Sequence, residues 1–277
     1  MLQLLNIRAK ATFGFKTNGK ENIMRSILQN GLYTIVQYKS GVGAAVAGTV
    51  GFALLAMLIP YLLGSINTAV VISRLLYRDD IRRYGSGNAG MTNMLRTFGK
   101  KAAVLTLLGD VVKTLLAILV GGVFMGLQYI RGFSIGYGGY LAALFCILGH
   151  VFPIYYRFKG GKGVLCTATA VAALSPIAFG LLFAVFVIIV GFTKYVSLGS
   201  VMCALMYPLF LFKSLQVAMN GGTAPVHMLL ISFAIAGFLV WCHRTNIGRL
   251  MRGEENKLSF KKKDKFLAEN GKEDAEK

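Results

Sequence analysis

Apolar positions dominate this chain in seven runs, at about 43–72, 102–126, 138–151, 164–174, 176–192, 197–212 and 226–242, separated by glycine-rich or basic polar stretches. Runs of this kind are expected to be helices, because inside a bilayer each backbone polar group must be satisfied within its own segment. Several are shorter than the roughly 20 residues of an ideal span. Ser175-Pro176 divides what would be one long run, since proline ends or kinks a helix. Counted as a break it gives seven spans; counted as a kink, six. The pattern predicts an all-α integral membrane protein of about seven transmembrane helices with short polar cytoplasmic loops. A basic N-terminal extension over 1–40, expected to be disordered, precedes the transmembrane domain over 41–251. A charged cytoplasmic tail over 252–277 follows it. No internal repeat is visible.

Composition supports a polytopic membrane protein: 55% of the 277 residues are hydrophobic. Net charge is +19, and its distribution carries the information. Seven of the 11 acids lie from Glu254 onward and one is Glu21, which leaves Asp79, Asp80 and Asp110 as the carboxylates of the membrane body. A body so poor in acids suits an anionic lipid surface and anionic substrates. Nucleic acid is disfavoured, because the cations are dispersed among apolar spans and lack an aromatic-lined soluble face. Cations concentrate at 74–101, at 157–162 and from His243 to Lys265, with Lys194 at a short turn. The positive-inside rule places these regions, and with them the C-terminus, in the cytoplasm. Seven spans then put the basic extension outside, which fits poorly; a translation start near Met24 would resolve it. The cysteines (146, 166, 203 and 242) are scattered, with neither metal-ligand spacing nor a disulfide framework.

Three polar constellations carry the chemistry. The first, Asp80–Arg96, sets Ser86, Asn88, Thr92 and Asn93 among Gly85, Gly87 and Gly90. Such glycines let backbone N–H groups converge on an anion, and arginine adds a forked donor. The arginines alone would serve equally as topology signals; with the glycines and small polar residues, phosphate binding is the stronger reading. The second, Phe158–Gly163, places Gly160, Gly161 and Gly163 around Lys162 at a helix start, where the dipole favours an anion. It lacks the spacing of a Walker A loop. The third runs from His243 to Lys257. If the last span continues as helix, His243, Asn246 and Arg249–Leu250 share one face. Lys194–Ser200 puts hydroxyls at the start of a span, which capping by Ser197 would explain. Asp110 and Lys113 are either functional or a structural i, i+3 pair. His150 is open between a site role and packing, and His227 receives no role. No His-x-x-x-x-Asp element, Gly-x-Ser-x-Gly elbow or metal-ligand cluster occurs.

Together these motifs resemble the bacterial acyl-phosphate:glycerol-3-phosphate acyltransferase family, PlsY. The likeness covers about 61–257 through Tyr61-Leu-Leu-Gly-Ser-Ile66, Asp80-Ile-Arg-x-x-Gly-Ser-Gly-Asn-x-Gly-x-Thr-Asn-x-Leu-Arg96, Phe158-Lys-Gly-Gly-Lys-Gly-Val164, and His243-Arg-x-Asn-Ile-x-Arg-Leu250 followed by Gly253-x-Glu255. Asn67, Met91 and Leu165-Cys166 depart from the usual family residues. The resemblance implies a seven-span enzyme of the bacterial inner membrane with its site facing the cytoplasm. It implies acyl transfer from acyl phosphate to the sn-1 hydroxyl of glycerol 3-phosphate, giving lysophosphatidic acid and phosphate. It implies no cofactor and no metal, membrane lipids as surroundings, and an acyl-phosphate-forming enzyme as a partner. Carried over by position, Ser86, Arg96, Lys162, His243 and Asn246 would be catalytic. Gly85, Gly87, Asn88, Asn93, Gly160, Gly161, Gly163 and Ser200 would bind substrate or phosphate. A transporter for an organic phosphate is the rival from another class; the absence of an inverted repeat counts against it.

Overall fold

The computed structural model describes residues 41–126, 135–220 and 224–258. The extension over 1–40 and the tail beyond residue 258 lie outside the described residues. Among those described, all regular structure is helical: α1 Val42–Ser65, α2 Thr68–Tyr77, α3 Met91–Phe98, α4 Lys100–Gly126, α5 Ile135–Val151, α6 Val164–Leu174, α7 Pro176–Thr193, α8 Val196–Ala218, α9 Val226–Cys242 and α10 Arg244–Met251. Short 3-10 turns stand at Ile81–Arg83 and Ile154–Tyr156.

Local chemistry sets the breaks. Pro176 begins α7, where its missing N–H would have no partner in any case, so Ser175-Pro176 is the expected break. The first apolar run, expected as one segment, divides at Ile66–Asn67. There the Asn67 carboxamide accepts from Val70 N at 3.1 Å and caps α2, as asparagine favours N-caps over helix interiors.

α1, α4 and α5 pack together, and α8 packs between α7 and α9. α6 joins the two sets by touching α4, α5 and α7. The larger core cluster, with Ile147, Val171, Tyr207 and Leu211, lies between α5 and the second set. A smaller one, with Val70, Ile81, Met94 and Phe98, lies beneath the first polar turn. The outer surface is apolar: Leu54 on α1, Leu119 on α4, Ile188 on α7, Leu205 on α8 and Phe233 on α9 are all more than half exposed. Rows of this kind along most long helices fit a lipid environment.

Five stretches are long and apolar enough to cross a membrane: α1 running into α2, α4, α5, α7 and α8. A sixth is added if α9 and α10, bent by 55°, form one span. The seventh expected span, α6, has 11 residues. At 1.5 Å per residue it reaches about 16 Å, roughly half the hydrocarbon thickness. It is shortened because the glycine-lysine turn precedes it and Ser175-Pro176 ends it.

Candidate active site

The polar turns gather at one end of the bundle. In the first, Asp80 accepts from Arg82 Nε and Nη2 at 2.9 and 2.7 Å and from Arg74 at 2.9 Å. The Arg82 guanidinium holds this carboxyl well below the usual carboxylate range. Arg82 Nη1 donates to the carbonyls of Tyr156 and Lys159 at 3.2 and 3.0 Å, tying the first turn to the second. Asn93 closes the loop from inside. Its Oδ1 accepts from Ser86 N at 3.0 Å, and its Nδ2 donates to the carbonyls of Tyr84 and Ile81 at 2.9 and 3.3 Å. The loop thereby holds Ser86, exposed, and Asn88 at the mouth of a cavity.

The second turn connects α5 to α6. The amides of Gly160 and Gly161 donate to the carbonyls of Val151 and His150, both at 3.1 Å. The two turns abut at Gly161: a Cβ there would lie 2.2 Å from His150 Nε2 and 2.7 Å from Ala89 O. Behind this contact is a buried polar network. Asp110 Oδ1 accepts from Thr68 Oγ1 at 2.6 Å and pairs with Lys113 Nζ at 2.8 Å. Lys113 Nζ also donates to Ile66 O at 2.9 Å and Gly64 O at 3.3 Å, and lies 2.9 Å from His150 Nδ1. Donor atoms of Asp110, His150 and Cys166 lie within 4.8 Å of one another. The Lys113 ammonium supplies the positive charge that such a group calls for.

Both turns open onto a cavity of about 510 Å³. Its mouth is polar, with Ser86, Arg96, Lys162, His243, Asn246 and Glu255. An apolar arm continues from it between α6, α7 and α8, past Leu165, Leu182, Phe186 and Ala204 to Tyr207. His243 Nδ1 donates to Leu239 O at 2.8 Å. In the neutral ring that leaves Nε2 as the acceptor. Asn246 accepts from Lys162 through Oδ1 and donates to Glu255 Oε1 at 3.1 Å. Glu255 Oε2 accepts from Arg249 Nε at 3.0 Å.

The chain after α10 folds back over the mouth. Arg96 Nη2 donates to Asn256 O at 3.1 Å, and Leu258 N donates to Lys194 O at 2.7 Å. Of the tail expected from residue 252, Glu255 and Asn256 border the cavity, and Leu258 fastens the segment to Lys194.

The mouth is electrostatically crowded. Burial lowers the Lys162 ammonium to about 8, aided by Arg249 and Arg96 and opposed by Glu255. Burial, with Arg249 nearby, also lowers Arg96. Burial pushes the Glu255 carboxyl up, but hydrogen bonds from Arg249 and Asn246 outweigh it and bring it below its ordinary value.

Of the residues singled out from sequence, Ser86, Asn88, Asn93, Arg96, Lys162, Gly163, Ser200, His243 and Asn246 all border this one cavity. Gly85, Gly87, Gly160 and Gly161 shape the turns without lining it. The amides of Gly87, Gly160 and Gly161 were expected as phosphate donors, but they bond to the carbonyls of Tyr84, Val151 and His150. The Asn93 carboxamide is likewise taken up within its own loop, which makes it a positioning residue. Ser200 Oγ donates back to Val196 O at 2.8 Å. Ser197 lies inside the first turn of α8, whose N-cap is Tyr195, so it does not cap the helix as expected. Its hydroxyl is buried and makes no hydrogen bond among the described residues. The sequence reading assigned no role to Glu255, although the Gly253-x-Glu255 pattern marked it. Asp110 and His150, open in the sequence between a functional and a structural role, both line the cavity, as do the aromatic residues of α7, which carry no signal in the sequence.

Comparison with known proteins agrees with this geometry. The family described as glycerol-3-phosphate acyltransferase matches residues 54–253. A glycerol-3-phosphate acyltransferase of Clostridioides difficile (strain 630) is 38% identical over 204 residues, covering 74% of this chain and 94% of that protein. One of Cupriavidus metallidurans is 40% identical over 210 residues, covering 76% and 98%. The crystal structure of PlsY (YgiH), an integral membrane glycerol 3-phosphate acyltransferase in its glycerol 3-phosphate form, superposes with a TM-score of 0.63 at 35% identity, covering 75% of this chain and 96% of that one. Its lysophosphatidic acid form gives a TM-score of 0.61 at 34% identity. The match spans most of the chain and includes both glycine turns and α10, so the chain belongs to the glycerol-3-phosphate acyltransferase family and is a multi-pass membrane acyltransferase.

Proposed function

We propose that this enzyme takes its acyl group from a fatty acyl phosphate and places it on the sn-1 hydroxyl of glycerol 3-phosphate. The products are lysophosphatidic acid and phosphate. The observation that carries the reading is one cavity with two chemistries: a cationic mouth at Arg96, Lys162 and Arg249, and an apolar arm down to Tyr207. The mouth suits the phosphates of both substrates, and the arm suits an acyl chain. The neighbouring PlsY was solved with glycerol 3-phosphate and with lysophosphatidic acid, which supports the same acceptor and product here.

In the proposed reaction the hydroxyl oxygen attacks the acyl carbonyl carbon. The tetrahedral oxyanion collapses, the bond from carbonyl carbon to bridging phosphate oxygen breaks, and phosphate departs. Arg96 and Lys162 neutralise phosphate, and Ser86 stabilises the oxyanion. His243 and Asn246 hold glycerol 3-phosphate for attack. The hydroxyl proton passes to a phosphate oxygen or to His243 Nε2. An acyl phosphate is already activated, so transfer is direct, without an acyl-enzyme. The site faces the cytoplasm across the bacterial inner membrane, beside an enzyme that makes acyl phosphate. Residues 41–251 form the catalytic domain, flanked by the basic extension and the charged tail.

The test gives purified protein palmitoyl phosphate, palmitoyl-CoA or palmitoyl acyl-carrier protein with glycerol 3-phosphate, and follows the released leaving group. Turnover with acyl phosphate alone is expected. Turnover with the thioesters instead would replace the donor assignment, and an acyl-Ser86 adduct trapped without acceptor would replace direct transfer.

A further inference from the structure

The apolar arm has a floor. Three helices line its walls, and each contributes a last residue at depth: Val171 on α6, Phe179 on α7 and Tyr207 on α8. Along α8, Tyr207 lies about 15 Å from Ser197 at the mouth, and along α6, Val171 lies about 10 Å from Val164, at 1.5 Å per residue. One turn above the floor, α8 presents the small residues Cys203 and Ala204, and Tyr207 then closes the arm. Tyr207 is 3% exposed and packs in the main core cluster with Leu211 and Met228. Packed protein, and not more cavity, lies beyond its ring.

We propose that Tyr207, with Phe179 beside it, sets the length of the acyl chain that this enzyme transfers. The inference rests on the acyl-phosphate reading above. An extended chain advances about 1.3 Å per carbon, from a zigzag of ~1.5 Å bonds. The arm therefore takes about a dozen carbons before the chain meets the floor, and additional methylenes must fold back above Ala204. Lipid surrounds the donor before binding, so discrimination comes from crowding at the floor more than from the transfer of methylenes out of water. One methylene too many in an apolar pocket lowers kcat/KM by about tenfold or more.

The test compares kcat/KM for saturated acyl phosphates from decanoyl to stearoyl, using the full chain in one lipid composition. The readout is the stearoyl-to-decanoyl ratio, which is internal to each variant and so independent of how much protein folds. Tyr207→Ala opens the floor and is expected to raise that ratio at least about tenfold; Ala204→Val narrows the arm above it and is expected to lower the ratio by a similar factor. Truncating a core tyrosine also risks stability, and the valine variant then decides by itself. Ratios for both variants within about twofold of the parent would overturn the inference, because the chain would then leave sideways past Phe183, which is 55% exposed. Failure of the parent to turn over any acyl phosphate is a different result, and it would overturn the donor reading together with this one.

Discussion

Replacing Lys113 with methionine probes the buried network that stands behind both polar turns. Asp110 is 2% exposed and holds Lys113 Nζ at 2.8 Å. Removing one partner of a buried pair leaves an uncompensated charge and costs about 3–5 kcal/mol. The carbonyls of Gly64 and Ile66 lose their donor in the same step, which keeps the expected cost in the upper half of that range. For a protein of about this size, each kcal/mol lowers Tm by roughly 2–4 °C, so K113M should melt about 8–20 °C lower. Adding D110N removes the orphaned charge, and contacting pairs of this kind couple by about 0.5–3 kcal/mol. The double variant should therefore melt higher than the sum of the two single losses allows. The assay is thermal unfolding of parent, K113M, D110N and K113M/D110N in one detergent, with KM for glycerol 3-phosphate measured alongside. KM should rise in K113M, because Lys113 fastens the end of α1 next to His150 and the glycine turn. A loss below about 1 kcal/mol in K113M, or strictly additive losses in the double variant, would refute the reasoning.

Three other outcomes follow from the site. The Lys162 ammonium, lowered to about 8 by burial and by Arg249, is charged below that pH and loses its charge above it. The kcat/KM for glycerol 3-phosphate should fall on the alkaline side, and K162R, which stays charged, should move that limb upward; the same limb in both proteins would remove Lys162 from phosphate binding. Gly161→Ala forces a Cβ to within 2.2 Å of His150 Nε2 and 2.7 Å of a backbone oxygen, Ala89 O. It should cost about 1–3 kcal/mol by overpacking and raise KM for glycerol 3-phosphate, and His150→Ala should relieve only part of this because Ala89 O is backbone; unchanged Tm and KM would show that the turns do not abut there. Asn246→Asp adds a carboxylate beside Lys162, so it should raise KM for glycerol 3-phosphate while moving the Lys162 limb to higher pH. Phosphate binding as tight as the parent's would contradict the electrostatic account.

Which elements were legible in the sequence follows from what creates them. Apolar runs place helices because the requirement is local, and Ser175-Pro176 and the glycine turns interrupt them by their own backbone chemistry. Helix length was harder to read. α6 looks like its neighbours in composition, but 11 residues between a turn and a proline cannot cross a bilayer. The break at Asn67 was hidden inside an apolar run because one carboxamide capping Val70 outweighs the hydrophobic average. The cationic side chains of the site stood out because isolated charges in a carboxylate-poor body need a partner. Their division of labour could not be read, since it depends on contacts distant in sequence. Arg82 and Arg96 look alike in the string, but Arg82 is committed to Asp80 and two carbonyls, whereas Arg96 faces the cavity. The glycine amides looked like phosphate donors for the same reason, until the His150 and Val151 carbonyls claimed them. Glu255 was masked by an acidic tail and becomes distinct only when the chain folds back onto Asn246 and Arg249.

That fold-back gives the charge balance its logic. Arg96, Lys162 and Arg249 surround a single carboxylate, Glu255, in a partly buried mouth. The cluster is left with excess positive charge, while the Lys162 ammonium is lowered chiefly by its burial and further by Arg249. An entering phosphate carries about −1.5 to −2 near neutral pH, which relieves the excess and restores the ammonium. The shortage of acids is then a requirement of the chemistry: Asp110, which also borders the cavity, is neutralised by Lys113, whereas a second unpaired carboxylate at the mouth would repel both phosphate-bearing substrates and satisfy the cations before either arrives. An acyl phosphate needs no strong nucleophile from the protein, because phosphate is a good leaving group. The charge that develops on the departing phosphate is met by the cations that bound it. Glu255 is tolerated because Asn246 and Arg249 hold its charge on the far side of Lys162's amide partner. It orients that partner and leaves the Lys162 ammonium to be neutralised by substrate.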